Sequence, residues 1–264
     1  MKRLISIALV ISSLSSQSQT LEGEWKGSYI LNSHVEKITA YILDEAQNPQ
    51  VKLDAPDREV YDLDYNLSQK NDSVIFSRYN SQGNLFEFKG VRSGNTITGQ
   101  AVLHSDYMKD KPGLFQMMRS NASLYRGSEA PPFEFKTIEG KVTTNDDFQG
   151  QYYMLDFWAT WCKPCVAKRP KLEALKEKMG DDLEIVSISL DKSEAVVNTF
   201  RQKQFPMDWV HVLKSKKWDD PFVDKYVKDG LPYGYLMDKD GKVVAFGKEL
   251  DAENFDKTVA RVFE

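Results

Sequence analysis

The sequence predicts two units of different class, an all-β half followed by an α/β half. Three observations carry that reading. Up to about residue 125, short β-branched and aromatic runs alternate with polar, Gly-bearing turns. The stretch GSEAPPFEF (127–135) then has the Pro, Gly and Ser of a linker. Beyond it, continuous apolar strands alternate with helical patterns, as in a sheet covered on both faces. The expected boundaries are a leader over 1–20, a small antiparallel β domain over 21–126 and an α/β domain over 127–264.

The chain opens MKRLISIALVISSLSSQSQT. Lys2 and Arg3 precede an apolar run from Leu4 to Leu14, and a Ser/Gln stretch follows, which is the layout of a secretory signal peptide. The run is too short to span a bilayer as a helix. No cysteine lies near its end, so a lipid-modified N-terminal cysteine is excluded. The leader implies a soluble mature protein, not membrane-spanning once it is removed. It would sit in an extracytoplasmic, disulfide-permissive compartment, the periplasm being the natural candidate.

In the first half, strands are expected at 23–27, HVEKITAYIL (34–43), SVIFSRY (73–79), LFEFKGV (85–91), TITGQAVL (96–103), LFQMM (114–118) and ASLYR (122–126). The turns NSQGN and RSGN join neighbours in sequence, so the pattern is an antiparallel meander closing into a small barrel or sandwich. Trp25 is expected to pack a barrel end. Gly23-x-Trp25 also resembles the opening motif of lipocalin-like barrels.

In the second half, Tyr152–Ala159 and Leu183–Leu190 read as buried strands. Helices are expected from Cys165 to Met179, with Leu172, Leu175 and Met179 on one face, and from Ser193 to Gln204, with Ser193 as N-cap. Tyr235–Met237 and Val243–Phe246 flank the hairpin turn DKDG, and Asp251–Glu264 closes the chain as a helix.

Of 264 residues, 41 % are hydrophobic and 28 % charged, which suits packed cores and excludes wholesale disorder. The net charge of −4 offers nothing to nucleic acid or to an anionic membrane surface. No nucleic-acid partner and no cofactor are expected.

The only two cysteines, Cys162 and Cys165, lie in DFWATWCKPC (156–165). An all-cysteine zinc site needs four, and His34, His104 and His211 lack ligand spacing to the pair, so no metal is expected. A disulfide between them would close a tiny loop and stabilise the fold little. Redox chemistry is what remains. Cys162 stands where a strand ends and a helix begins, so unpaired N–H groups and the helix dipole favour its thiolate. Lys163, Lys168, Arg169 and Lys171 follow within about two turns, and their field should lower its pKa further. Pro164 suits a first helical turn, where its missing N–H costs nothing. Cys162 is therefore the expected attacking thiol, and Cys165 the resolving thiol that breaks the mixed disulfide. Asp156 sits mid-strand among apolar residues. Desolvation should raise its pKa and fit it for proton exchange with Cys165.

WCKPC preceded by DFWAT, with Pro170 five residues after Cys165, resembles thioredoxin. APPFEF, the Gly-x-Val at 140–142, DFQGQYYMLDFWATWCKPC, EIVSISLD and GLPYGYLMDKDGKVV together resemble the secreted TlpA/ResA-like branch, over residues 128–264. The resemblance implies a thioredoxin fold with a redox-active Cys162–Cys165 disulfide. It implies a cis bond at Leu231-Pro232, with Pro232 facing the disulfide. It places Trp161 beside the thiol and Trp158 in the packing. Lys168 stands where many members have Glu, and Asp156 where many have Asn but thioredoxin has Asp.

The function expected is an extracytoplasmic thiol–disulfide oxidoreductase, taken as a reductase. Its partners would be cysteine-containing protein substrates and a membrane-linked thiol reductant. Two alternatives stand beside it: a binding module, in which the β half captures a ligand and the redox half is auxiliary, and a peroxiredoxin-type peroxidase. The peroxidase lacks its expected Pro and lone cysteine here.

Overall fold

The computed structural model describes residues 20–43, 49–58, 60–105, 112–122 and 124–263. Residues 1–19 of the expected leader (1–20) lie outside them. Eight strands, β1 (Gly23–Leu31), β2 (His34–Leu43), β3 (Gln50–Ala55), β4 (Val60–Lys70), β5 (Ser73–Tyr79), β6 (Leu85–Ser93), β7 (Thr96–His104) and β8 (Gly113–Arg119), form a closed barrel in sequence order. Every pairing is antiparallel, and β8 closes on β1 with Trp25 opposite Arg119.

Period-2 alternation sends Trp25, Tyr29, Ile38, Ile42, Phe76, Phe88, Ile97, Phe115 and Met117 into one buried cluster. Eight strands enclose just enough room for such side chains, so the interior is packed with them. At Gly27 and Gly99 the neighbouring strands leave no room for a side chain. A Cβ on Gly27 would stand 1.8 Å from the Gln116 carbonyl oxygen, and one on Gly99 2.0 Å from that of Lys89. Trp25 donates its indole N–H to the Leu21 carbonyl (2.8 Å), with the guanidinium groups of Arg92 and Arg119 over its ring.

The strands β3 and β4 are absent from the sequence reading. In β4, Leu63, Tyr65 and Leu67 alternate with Asp62, Asp64 and Asn66, and it is the low strand propensity of those polar residues that hides the segment. Conversely, the described residues of 122–126 form no strand; Leu124 instead packs with the core of the second half.

That half begins with a hairpin, β9 (Glu134–Lys136) and β10 (Val142–Thr144). There follow β11 (Tyr152–Trp158), α1 (Lys163–Met179), β12 (Leu183–Ser189), α2 (Glu194–Lys203), β13 (Val210–Leu213), α3 (Pro221–Tyr226), β14 (Tyr233–Met237), β15 (Val243–Phe246) and α4 (Phe255–Phe263). The sheet order is β13-β12-β11-β14-β15, with β11, β12 and β13 parallel and β14 and β15 antiparallel. Buried clusters line both faces of this sheet. The last helix starts four residues later than expected, because the Asp251 carboxylate accepts the Glu253 and Asn254 N–H groups and holds a turn.

The halves are fastened together. The segment after β8 runs along the edge of β15, with Gly127 N–H to the Val243 carbonyl at 2.7 Å and Ala130 N–H to Gly241 at 2.9 Å. Arg126 lies buried between Asp54 of the barrel (3.0 Å) and Glu249 beyond β15 (2.9 Å). Tyr41, on the barrel's outer face, packs edge-on against Phe246.

Candidate redox site at the end of the central strand

The parallel register puts Trp158, Ser189 and Leu213 side by side, so the loops after β11, β12 and β13 leave one edge of the sheet together. Tyr233 pairs with Phe157, which brings the segment ending at Pro232 to the same edge. Both cysteines lie at this edge.

Cys162 is the N-cap of α1, and its sulfur accepts the Cys165 N–H at 3.3 Å. The helix therefore starts at Lys163, earlier than the sequence suggested, with Pro164 in its first turn. The two sulfurs form a disulfide with an S–S distance of 2.06 Å. Cys162 is 6 % exposed and Cys165 fully buried, so of the two only Cys162 keeps any contact with solvent. Trp161 is 53 % exposed beside them, while Trp158 is buried against Phe200. The Leu231–Pro232 bond is cis.

The environment of Asp156 differs from the sequence expectation. The carboxylate is fully buried, with the Lys168 ammonium 2.7 Å from one oxygen and the Arg169 guanidinium 2.7 Å from the other. The Ser187 hydroxyl donates to it at 3.3 Å. Burial alone would push the carboxyl up, as expected from sequence. The charges of Arg169 and Lys168 and their hydrogen bonds overcome it and hold the pKa down to about 2. The expected raised pKa is thus corrected: Asp156 is a standing anion. Lys168 is corrected likewise. Its side chain is fully buried and its charge faces Asp156, with its own pKa lowered by burial against the pull of that carboxylate. Lys171 pairs with Asp256 at 2.7 Å. The cations expected to act on Cys162 are committed elsewhere, apart from exposed Lys163.

Arg169 is the residue whose importance the sequence reading missed. It also donates to the Cys165 carbonyl (3.1 Å) and to Ser187 (3.4 Å), and stacks on Trp158 at 4.8 Å. A signal existed: Cys165, Lys168, Arg169 and Leu172 fall at i, i+3, i+4 and i+7, the inward stripe of α1. Asp191 was missed too. Nearly buried after β12, it accepts the Thr160 N–H (3.0 Å), the Thr160 hydroxyl (2.8 Å) and the Ser189 hydroxyl (2.8 Å), clamping the loop that presents Cys162. His211 is buried, bonded through Nε2 to the Met207 carbonyl at 2.8 Å, with its pKa pushed down to about 4 by desolvation.

Residues 150–243 match the thioredoxin-like family. The thioredoxin-like protein YneN of Bacillus subtilis is 36 % identical over 131 residues, covering 47 % of this chain and 72 % of YneN. The chain belongs to the thioredoxin-like family. The thiol–disulfide oxidoreductase ResA of Bacillus cereus is 37 % identical over 120 residues, 45 % of this chain and 66 % of ResA. The match thus spans a little under two thirds of ResA's length. A solved relative is the thioredoxin domain of a thiol–disulfide oxidoreductase from Bacteroides vulgatus. It has 28 % identity and a TM-score of 0.47, over 54 % of this chain and all of that domain. Within the thioredoxin-like family's fold, the candidate site of this chain is the Cys162–Cys165 pair beside a buried Asp156–Lys168–Arg169 cluster.

Proposed function

We propose that the protein is an extracytoplasmic thiol–disulfide oxidoreductase that reduces disulfides in cysteine-containing proteins. The observation that carries this is the asymmetric cysteine pair, an outer sulfur at a helix N-terminus and a buried one behind it. In the reduced protein, the Cys162 thiolate attacks a substrate disulfide and expels one substrate thiolate, which takes up a proton. Cys165 then loses its proton and attacks the Cys162 sulfur. The second substrate thiol leaves, and the protein is left with its disulfide. A membrane-linked thiol donor would return the two electrons. The leader-like N-terminus supports an extracytoplasmic, periplasmic location. No helix among the described residues is long and apolar enough to cross a membrane.

A thiolate-stabilising field favours the dithiol and makes a pair oxidising. Pairing with Asp156 and Asp256 weakens the field that Lys168, Arg169 and Lys171 would otherwise exert on the Cys162 sulfur, which supports the reductase direction. Asp156 and Arg169 act as positioning groups that hold α1 against β11. The packed barrel interior supports a docking role for the first half over ligand capture inside it.

Equilibration with glutathione tests direction: a potential below about −200 mV is expected, and one above about −150 mV overturns the reductase reading. Cys162→Ser is expected to abolish disulfide reduction altogether. Retained turnover in that variant would remove the assigned nucleophile.

A further inference from the structure

We propose that the sheet edge around Cys162 is a docking surface for acidic polypeptide segments that carry the substrate cysteine; this rests on the oxidoreductase reading. The strand register gathers four segments there, 159–163, 190–193, 214–220 and 228–232. They carry Lys163, Lys192, Lys214, Lys216, Lys217 and Lys228. Their acids are Asp191, Asp219, Asp220 and Asp229. Two of these are occupied internally. Asp191 is nearly buried on Thr160, and Asp220 caps α3, accepting the Phe222 N–H at 3.0 Å with Lys214 3.6 Å away. Among the described residues, no carboxylate stands within ion-pair distance of Lys163, Lys192, Lys216 or Lys217.

The edge is therefore cationic on a chain whose net charge is −4. A local field opposite in sign to the whole molecule selects partners of the opposite charge and orients their approach. The same edge exposes Trp161 (53 %) and Trp218 (44 %), the only two tryptophans among the exposed large hydrophobic residues described. Indole rings next to lysines give a peptide apolar contact between its charged contacts. Lysines contact carboxylates as point charges, so the recognition is of charge and needs no fixed sequence.

The test uses three peptide disulfides of equal length, with acidic, neutral or basic flanks, and measures kcat/KM for reduction by the reduced full chain. At low salt the acidic peptide is expected to react about tenfold faster than the basic one, and high salt should bring the two close together. The variant Lys192→Glu/Lys216→Glu/Lys217→Glu is expected to lose or reverse the preference while reducing the neutral peptide at the wild-type rate. Equal rates on acidic and basic peptides at low salt, or a preference unchanged in the triple variant, would overturn the docking surface while leaving the oxidoreductase reading intact. Failure to reduce any of the three overturns both.

Discussion

The barrel interior and the core of the thioredoxin-like half are both built from apolar side chains but treat charge in opposite ways. In the barrel, the largest fully buried side chains are Trp25, Phe76, Phe88, Ile38, Ile42, Ile97 and Met117, and the carboxylate turned inward, Glu36, meets Tyr29 and the half-exposed Arg58. In the second half, Arg169 and Lys168 rank among the largest fully buried side chains and share one aspartate beneath the disulfide. A barrel needs only shape and apolar surface. A redox pair needs a fixed electrostatic setting, and a buried ion cluster supplies one at a cost in desolvation.

The strongest way to break the comparison is to damage each core in its own terms. Asp156→Asn leaves two buried cations without their counter-charge and should destabilise by about 3–5 kcal/mol with no cavity. Phe88→Ala should cost about as much through its cavity alone. Joint replacement Asp156→Leu, Lys168→Met, Arg169→Met should recover most of the loss seen in Asp156→Asn while shifting the redox potential. Urea titration and glutathione equilibration check these. Stability unchanged in Asp156→Asn would show that the cluster carries no structural weight.

A smaller effect is expected with acid. His211 has its pKa depressed from 6.5 to about 4, so the stability from keeping it neutral is full above pH 6.5 and is lost as pH falls through 4. Asp156 is depressed from 3.8 to about 2, so its contribution is full above pH 3.8 and is lost as pH falls through 2. Chemical denaturation across pH should therefore show two successive losses, and His211→Gln should flatten the upper one only.

The smallest expected difference lies between two helix caps. Asp220 accepts N–H bonds from Phe222 and Val223, whereas Ser193 makes no side-chain cap bond. Asp220→Ala should cost about 1 kcal/mol and Ser193→Ala less than about half of that. Equal losses in thermal melts would contradict the cap geometry.

Much of this was legible in the sequence. Six barrel strands and the strand–helix–strand start of the second half follow from period-2 and continuous apolar patterns. β3 and β4 did not, because Asp54, Asp62, Asp64 and Asn66 lower the strand propensity of segments whose alternation is intact. The two cysteines could be read as a local motif, and the cis bond at Pro232 followed from the family resemblance. The state of Asp156 could not. Its partners stand twelve and thirteen residues away on α1, and only packing brings their charges to 2.7 Å.

By itself, then, the sequence determined where the redox pair lies, which cysteine is outermost on a helix start, and that an all-β unit precedes an α/β unit. Tertiary structure alone decided which charges reach the site. It turned Lys168 and Arg169 inward onto Asp156, set Asp191 on Thr160, and gathered distant lysines along one sheet edge. Local motifs depend on chain geometry within a turn or two, whereas a charge acts through distance and burial, which exist only once the chain is folded.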